Sequence, residues 1–151
     1  MLAVTIAFIG FIGDTVSSIS EKSSYMHQCN DYQTQVYCFT NDYRVANGLQ
    51  PLEYSQELVD SSSLKSKSMC ENNYFSHDYN GTSWKARLHG FNYSFYGENL
   101  AKGYETPSSA VQALIDSPTH KANIVGDYTH LGVYAEYCNG KLYTTQTFAK
   151  L

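Results

Sequence analysis

His120 is well placed to do chemistry, because it projects from the start of a short predicted helix. In the stretch DSPTHKANI, Ser117 is typical of an N-cap, and Pro118 of a first helical residue, where its missing N–H costs nothing. The partial positive charge at the N-terminus of a helix disfavours the protonated form of the imidazole. A fixed, neutral imidazole is suited to binding a metal or acting as a base, and packing is the structural alternative.

Two other residues are candidates alongside His120. His77 lies in NYFSHDYNG, after an aromatic pair and before a turn, and Glu98 lies in YGENLAKG, a short predicted strand between glycines. Each residue taken singly is more common as hydrogen-bonded scaffold than as a ligand, and sequence spacing alone does not bring the three together. The other histidines lie where structural roles are more common: His27, His89 and His130.

The composition describes one ordinary globular domain. The 151 residues are 42% hydrophobic and 16% charged, which is enough for a hydrophobic core. The net charge is −4 and the lysines and arginines are scattered. Nucleic acid and anionic membrane surfaces are therefore not expected partners.

The amino terminus predicts secretion. An apolar run over residues 2–13 is too short to span a bilayer but has the length of a signal-peptide core. The usual basic segment before it is missing, and a buried N-terminal helix is the alternative. We expect a signal peptide over residues 1–18, a polar leader with a cysteine over 19–37 and one domain over 38–151, with no stable membrane insertion.

The four cysteines fit an oxidising, extracellular compartment, and none of them has the C-x-x-C spacing of zinc knuckles or thioredoxin-type sites. Three pairings are possible, and we favour this one: Cys29–Cys38 and Cys70–Cys138.

Sequons at Asn80 and Asn92 would make a eukaryotic product a glycoprotein.

Helical patterns dominate the first part of the chain. Thr40 is typical of an N-cap and Gly48 of a helix end, which predicts a helix between them. A longer helix is predicted from about Ser55 to Glu71. One stripe marks a single face of it: Leu58, Ser62, Lys65 and Met69. Its many serines are mediocre helix formers, so tertiary packing must compensate, and small side chains allow another layer to approach closely.

Later segments complete the fold class. A short helix is predicted over residues 84–91, and another begins at Thr106 and Pro107. Two β-rich runs surround Asn139-Gly140, the preferred pair for a type I′ hairpin. Helices, an intervening strand and a final hairpin indicate an α+β domain.

Five motifs in order resemble the CAP superfamily, which comprises cysteine-rich secretory proteins, antigen 5 and pathogenesis-related 1 proteins and is also described by its SCP domain. The motifs are NDYRVANGLQPL, MCENNYFSH, YGENLAKG, SPTHKANI and LYTTQTF, and they cover roughly Cys38 to Ala149. The S-P-x-H form of the fourth motif is most similar to the compact bacterial and fungal branch.

The resemblance implies a three-layer α-β-α sandwich with a small, largely antiparallel sheet between helices. It implies a cleft whose floor is formed by three residues: His77, Glu98 and His120. Gln146 is expected to form hydrogen bonds near this cleft. In the animal branch two histidines bind a divalent ion, often zinc, beside two acidic residues. Here Ser117 stands in place of the second acid, and Asp116 is a doubtful substitute.

Two neutral imidazoles suit Zn²⁺, with His77 and His120 as the ligands. A catalytic zinc normally has three protein ligands, so this site would be weak unless Glu98 or Asp116 completes it. If metal binds, Glu98 is either a general base for the bound water or a partner that orients a histidine. A metal-free polar network that joins the strand to the helices is the third interpretation.

Four aromatic residues precede the cleft strand: Phe91, Tyr93, Phe95 and Tyr96. They are either divided between core and surface or form an aromatic wall for an apolar ligand. Some CAP proteins bind sterols or fatty acids near this region. The i, i+2, i+7 aromatic spacing of sterol-binding members does not occur here.

The expected function is binding rather than catalysis. We expect a secreted domain that binds a small apolar ligand, lipid or sterol-like, or an extracellular protein partner at the His77–Glu98–His120 cleft. A metal-dependent hydrolase is one alternative. A secreted effector or toxin-like protein, recognised by its surface, is the other.

Overall fold

The computed structural model describes residues 29–79 and 92–150, which form four helices and four strands. In chain order these are α1 Tyr32–Ala46, β1 Glu53–Tyr54, α2 Gln56–Glu71, β2 Phe95–Lys102, α3 Pro107–Asp116, α4 Pro118–Ile124, β3 His130–Cys138 and β4 Lys141–Lys150. The predicted signal peptide and the predicted helix over 84–91 lie outside the described residues. Within the described ranges, no helix is long and apolar enough to cross a membrane.

The sheet has the strand order β1-β3-β4-β2. The β3–β4 and β4–β2 pairs are antiparallel, whereas the short β1 pairs with β3 in parallel. Asn139 and Gly140 join β3 to β4 with φ values of 51° and 73°. Positive φ at both turn residues is what a type I′ hairpin requires, so the predicted hairpin is confirmed.

Helices cover both faces of the sheet. Helix α2 packs on β3 and β4 from one side, while α1, α3 and α4 lie on the other side. The main apolar core lies under α1, α3 and α4 and includes Val36, Leu131 and Phe148. The α+β class and the α-β-α layering are confirmed, with one parallel strand pair in an otherwise antiparallel sheet.

The predicted stripe of α2 is buried against the sheet, as the sequence indicates. The Ser62 hydroxyl donates to the Gly132 carbonyl at 3.1 Å and hydrogen-bonds the Thr147 hydroxyl at 2.8 Å. Ser66 repeats this pattern one turn later, with the Tyr134 carbonyl at 3.1 Å and the Thr145 hydroxyl at 2.8 Å. Small hydroxyl side chains therefore replace bulky apolar ones, and the helix lies very close to the strands.

Helix α1 begins earlier than the sequence predicts, so the prediction of Thr40 as its N-cap is wrong. Asp31 is the N-cap, and its carboxylate accepts from the Thr34 backbone N–H at 2.9 Å, while Thr34 Oγ1 accepts from the Asp31 backbone N–H at 3.1 Å. This reciprocal pair satisfies two helix-start N–H groups. Thr40 lies inside the helix, where its hydroxyl donates to the Val36 carbonyl. Residues 32–37, predicted as part of a leader, are therefore helical.

Both predicted disulfides are confirmed in the structure. Cys29–Cys38 joins the segment before α1 to the helix itself, and Cys70–Cys138 joins the end of α2 to the end of β3. Each native bridge in a small secreted domain typically contributes about 2–5 kcal/mol of stability.

Asn92, one of the two sequon residues, is exposed, and Asn80 lies outside the described residues.

Replacing Gly132 with alanine tests the close approach of α2 to the sheet. A Cβ at this position would lie 2.2 Å from the backbone atoms Leu58 C and Val59 N, neither of which can move without displacing the helix. We expect a loss of about 3 kcal/mol or more in the free energy of unfolding, at the upper end of overpacking costs. Urea denaturation measures this loss.

Gly48→Ala is the matched control, because a Cβ added at this position would meet no atom within 4 Å although the φ of Gly48 is +74°. Its cost of about 1–2 kcal/mol arises from backbone conformation alone. Equal losses in the two variants would contradict the packing account.

Candidate functional site

His77 and Glu98 form a hydrogen-bonded pair at the β2 edge of the sheet. Glu98 lies on β2, and His77 lies in the loop after α2. His77 Nδ1 is 2.9 Å from Glu98 Oε1, and the side chains are 48% and 1% exposed respectively. An ionised carboxylate only accepts hydrogen bonds, so the imidazole donates to Glu98 from Nδ1, and Nε2 is the ring nitrogen on the other side of the ring.

The buried ammonium of Lys65 hydrogen-bonds the backbone of the loop that carries His77. This α2 lysine is 1% exposed, and its ammonium donates to the His77 carbonyl at 2.7 Å and to the Tyr74 hydroxyl at 3.4 Å. The ammonium also lies 4.9 Å from the centroid of the Tyr74 ring. A buried charge needs such partners to offset its lost hydration, so the loop is fixed where it carries His77.

His120 approaches the same edge from α4. Its Nδ1 lies 2.9 Å from Ser117 Oγ. Ser117 has the extended backbone of an N-cap, as predicted, but its side chain makes no capping hydrogen bond to the backbone. Burial lowers the pKa of His120, and the nearby His77 lowers this pKa further. The sequence indicated a neutral imidazole from the helix dipole, whereas burial and the second histidine are the causes here.

A chain of buried and half-buried side-chain amides joins His120 to the sheet. The Asn99 amide donates to the His120 carbonyl at 3.0 Å and to the Gln146 side-chain oxygen at 3.1 Å. Asn123 donates to Asn99 at 2.8 Å, and Gln146 donates to the Thr40 hydroxyl at 2.8 Å. Gln146 is fully buried, so it supports the site from beneath and does not face solvent.

Three of these supporting residues were not predicted from the sequence as part of the site: Lys65, Asn99 and Asn123. Asn99 directly follows Glu98, and Asn123 lies one helical turn after His120, so spacing offered a signal for both. No sequence signal marked Lys65 as part of the site, because its partners come from a loop that only the tertiary fold brings close.

Asp116 does not complete the site. It is exposed and accepts a hydrogen bond from Gln112 at 2.8 Å, one turn earlier in its own helix. Among residues 29–79 and 92–150, no group of three or more histidine, cysteine or acidic side chains is arranged to hold a metal ion.

The described aromatic residues before Glu98 do not form one continuous wall, because neighbouring strand residues point to opposite faces. Phe95 stacks on Tyr128 with ring centroids 5.1 Å apart. Tyr96 packs beside Leu58 on the α2 side of the sheet, and the Tyr93 ring contacts the Tyr96 ring edge-on. Phe91 lies outside the described residues.

The chain is similar to several known proteins. The family model described as CAP, the cysteine-rich secretory protein family, matches residues 38–148. The protein YkwD of Bacillus subtilis (strain 168) is 33% identical over 141 residues, which cover 90% of this chain and 54% of YkwD. The chain thus spans about half the length of that relative.

Two solved structures share the fold. An extracellular SCP-domain protein from Bacillus anthracis str. Ames matches with a TM-score of 0.72 and 28% identity, over 80% of this chain and 40% of that one. An outer surface protein from Borrelia burgdorferi matches with a TM-score of 0.70 and 24% identity, over 76% of this chain and 88% of that one. The second likeness supports the fold alone.

Lys65→Met tests whether the buried ammonium positions His77. Methionine keeps an unbranched apolar stem but leaves the His77 carbonyl without its donor, at a cost of about 1–3 kcal/mol. We expect His77 to lose part of its Nδ1–H tautomer as its contact with Glu98 loosens, which imidazole ¹⁵N chemical shifts report. Lys67→Met, an exposed site on the same helix, is the control. An unchanged tautomer in Lys65→Met would show that Lys65 has no positioning role.

The coupling between the two histidines predicts a directional pKa change. His77→Ala should raise the pKa of His120 only part of the way towards 6.5, because burial is the larger cause of its depression and remains. In the wild type, acidification from 6.5 to the folded pKa of His120 should lower stability, since the unfolded chain takes up the proton first. NMR titration measures the pKa, and no shift in His77→Ala would refute the coupling.

Proposed function

Because this chain belongs to the cysteine-rich secretory protein (CAP) family, we propose that it is an extracellular binding domain with His77, Glu98 and His120 as its recognition site. The observation that carries this proposal is the orientation of the two imidazoles. Nδ1 of each ring is engaged by another side chain, Glu98 for His77 and Ser117 for His120. Both rings are thus fixed, with Nε2 left to meet a ligand.

The donor set fits a weakly held divalent ion such as Zn²⁺. His77 and His120 would hold it through Nε2, and the Glu98 carboxylate would orient His77 from behind, the arrangement in which a carboxylate strengthens a metal-binding histidine. Two protein ligands are fewer than the three of a catalytic zinc site or the four of a structural one. The remaining coordination positions would be left for solvent or for donor groups of a partner.

Binding is favoured over hydrolysis because of where Glu98 lies. A general base must reach the proton that it removes, directly or through one water. The Glu98 side chain is 1% exposed and bonded to His77, so it is suited to orienting the ring rather than to activating water.

The ligand at this site is either a small apolar molecule, lipid or sterol-like, or an extracellular protein partner. The cavity of 150 Å³ lined by Tyr37, Tyr54 and Val133 lies at the β3 edge, across the sheet from His77, so it is not part of this site. The two disulfides and the similarity to an extracellular protein support secretion.

Calorimetric titration of Zn²⁺ into the mature protein tests this proposal. We expect saturable 1:1 binding that is lost in His77→Ala and in His120→Ala. Glu98→Gln should weaken the affinity about tenfold, the lower end of the effect of losing a partner that orients a metal ligand. His130→Ala is the matched control, because His130 lies at the head of β3 beside Thr129 and Glu53.

Absence of Zn²⁺ binding by the wild type would overturn the metal part of the proposal. A screen with ester and peptide substrates addresses the enzyme alternative. Turnover that disappears in Glu98→Gln would overturn the assignment of binding without catalysis.

A further inference from the structure

The β3 edge of the sheet is largely unpaired among the described residues. Strand β1 pairs with β3 only at Glu53–His130 and Tyr54–Leu131, whereas β3 continues to Cys138. Most of β3 therefore has β4 on one side and no described strand on the other. The strand sequence HLGVYAEYC contains neither proline nor lysine, and Glu136 is its one acidic residue, so it has few of the residues that commonly protect an exposed edge.

The pairing with β1 identifies which main-chain groups face this edge. The carbonyls of Thr129 and Leu131 accept from the N–H groups of Glu53 and Ser55, at 2.8 Å and 3.3 Å. Since the direction of main-chain groups alternates along a strand, the next odd-numbered residues point the same way. These are Val133, Ala135 and Tyr137.

A cavity of 150 Å³ lies where β1 would continue if it were longer. Its wall includes Val59 and Tyr134 from the α2 side of the sheet, and Tyr37 and Val133 from the α1 side. Tyr54, the last residue of β1, closes one end. A cavity lined from both faces lies in the plane of the sheet, and its volume suits one aliphatic side chain rather than a whole small-molecule ligand.

The Tyr54 end of this edge is acidic. Asp31 lines the cavity, and the negative charges of Asp60 and Asp31 add to burial in raising the pKa of Tyr54. Both carboxylates are exposed. Further along the edge, the Lys67 ammonium lies 5.3 Å from the centroid of the Tyr134 ring, and the Tyr134 hydroxyl donates to the Glu136 carboxylate at 3.2 Å, so that part carries both signs of charge.

We propose that the β3 edge binds an extended peptide segment of a protein partner, which adds a strand along Val133–Tyr137. An aliphatic side chain of the peptide enters the cavity, and a lysine or arginine beside it pairs with Asp31 and Asp60. Main-chain hydrogen bonds supply affinity and the cavity supplies specificity, as in other cases of strand addition. This site is separate from the His77–Glu98–His120 site and does not depend on it.

Hydrogen exchange of the full secreted chain is the first test. The amides of Ala135 and Tyr137 should exchange fast, whereas those of Gly132, Tyr134 and Glu136, which face β4, should be protected. Slow exchange at all five positions would show that the chain itself, or a second copy, already covers the edge. Sedimentation at several concentrations separates those two cases, and either one overturns the proposal.

Panning a random heptapeptide phage library is the second test. We expect selected peptides in which apolar residues alternate with others and at least one lysine or arginine is present. Synthetic copies should shift the amide signals of Val133, Ala135 and Tyr137 and should protect the amides of Ala135 and Tyr137 from exchange. Ala135→Pro, which removes one edge N–H, should weaken their binding at least tenfold, while His77→Ala should leave it unchanged.

A second variant tests the same binding site independently, in case Ala135→Pro fails to fold. Replacing both Asp31 and Asp60 with asparagine keeps an N-cap at position 31 but removes both charges. Peptide binding should weaken severalfold and lose most of its salt dependence. Failure to select any peptide, or peptides that perturb other surfaces, would overturn the proposal and leave the zinc experiment unaffected.

Discussion

The close approach of α2 to the sheet is the constraint on which the rest of this structure depends. Gly132 leaves no room for a Cβ against the helix backbone, and two serine–threonine pairs cross the same interface. Each buried hydroxyl pair contributes about 0.5–1.5 kcal/mol when formed, and leaving one partner unpaired costs about 1–3 kcal/mol. A helix held by such contacts has one position relative to the strands, since a small displacement would break both pairs together.

The fixed position of α2 sets the position of His77. Lys65 lies on the face of α2 that carries Ser62 and Ser66, and its ammonium reaches the His77 carbonyl. Cys70, further along the same helix, is bonded to Cys138 at the end of β3. On the other face, Asn99 joins β2 to the backbone of His120. The two imidazoles thus reach one sheet edge from opposite layers, each held by its own buried polar contacts.

The features with strong local signals were predicted from the sequence. The Asn139-Gly140 turn needs positive φ at two positions, and the stripe from Leu58 to Met69 follows the helical period. The start of α1 was not predicted, because Thr40 resembles an N-cap and the polar residues after Asp31 hide the longer helix. The cap at Asp31 requires its hydrogen bonds with Thr34, which residue types alone suggest only weakly.

The candidate site was predicted only in part, for a physical reason. The resemblance identified His77, Glu98, His120 and Gln146, but residue types and spacing cannot show how these side chains are oriented. The contact of His77 with Glu98 and the depressed pKa of His120 depend on burial and on neighbours far away in the sequence. Lys65 was predicted only as one member of the stripe on α2. Its role depends on a carbonyl 12 residues away, which only the folded loop brings within reach.

The two sheet edges differ because α2 begins immediately after β1. Ser55 is the N-cap of α2, and its backbone N–H bonds the Leu131 carbonyl before the chain turns away from β3 into the helix. The edge of β2, by contrast, is flanked by the His77 loop and by α4. Among the described residues, the same chain path that fixes the histidine pair at one edge leaves most of β3 without a strand partner at the other.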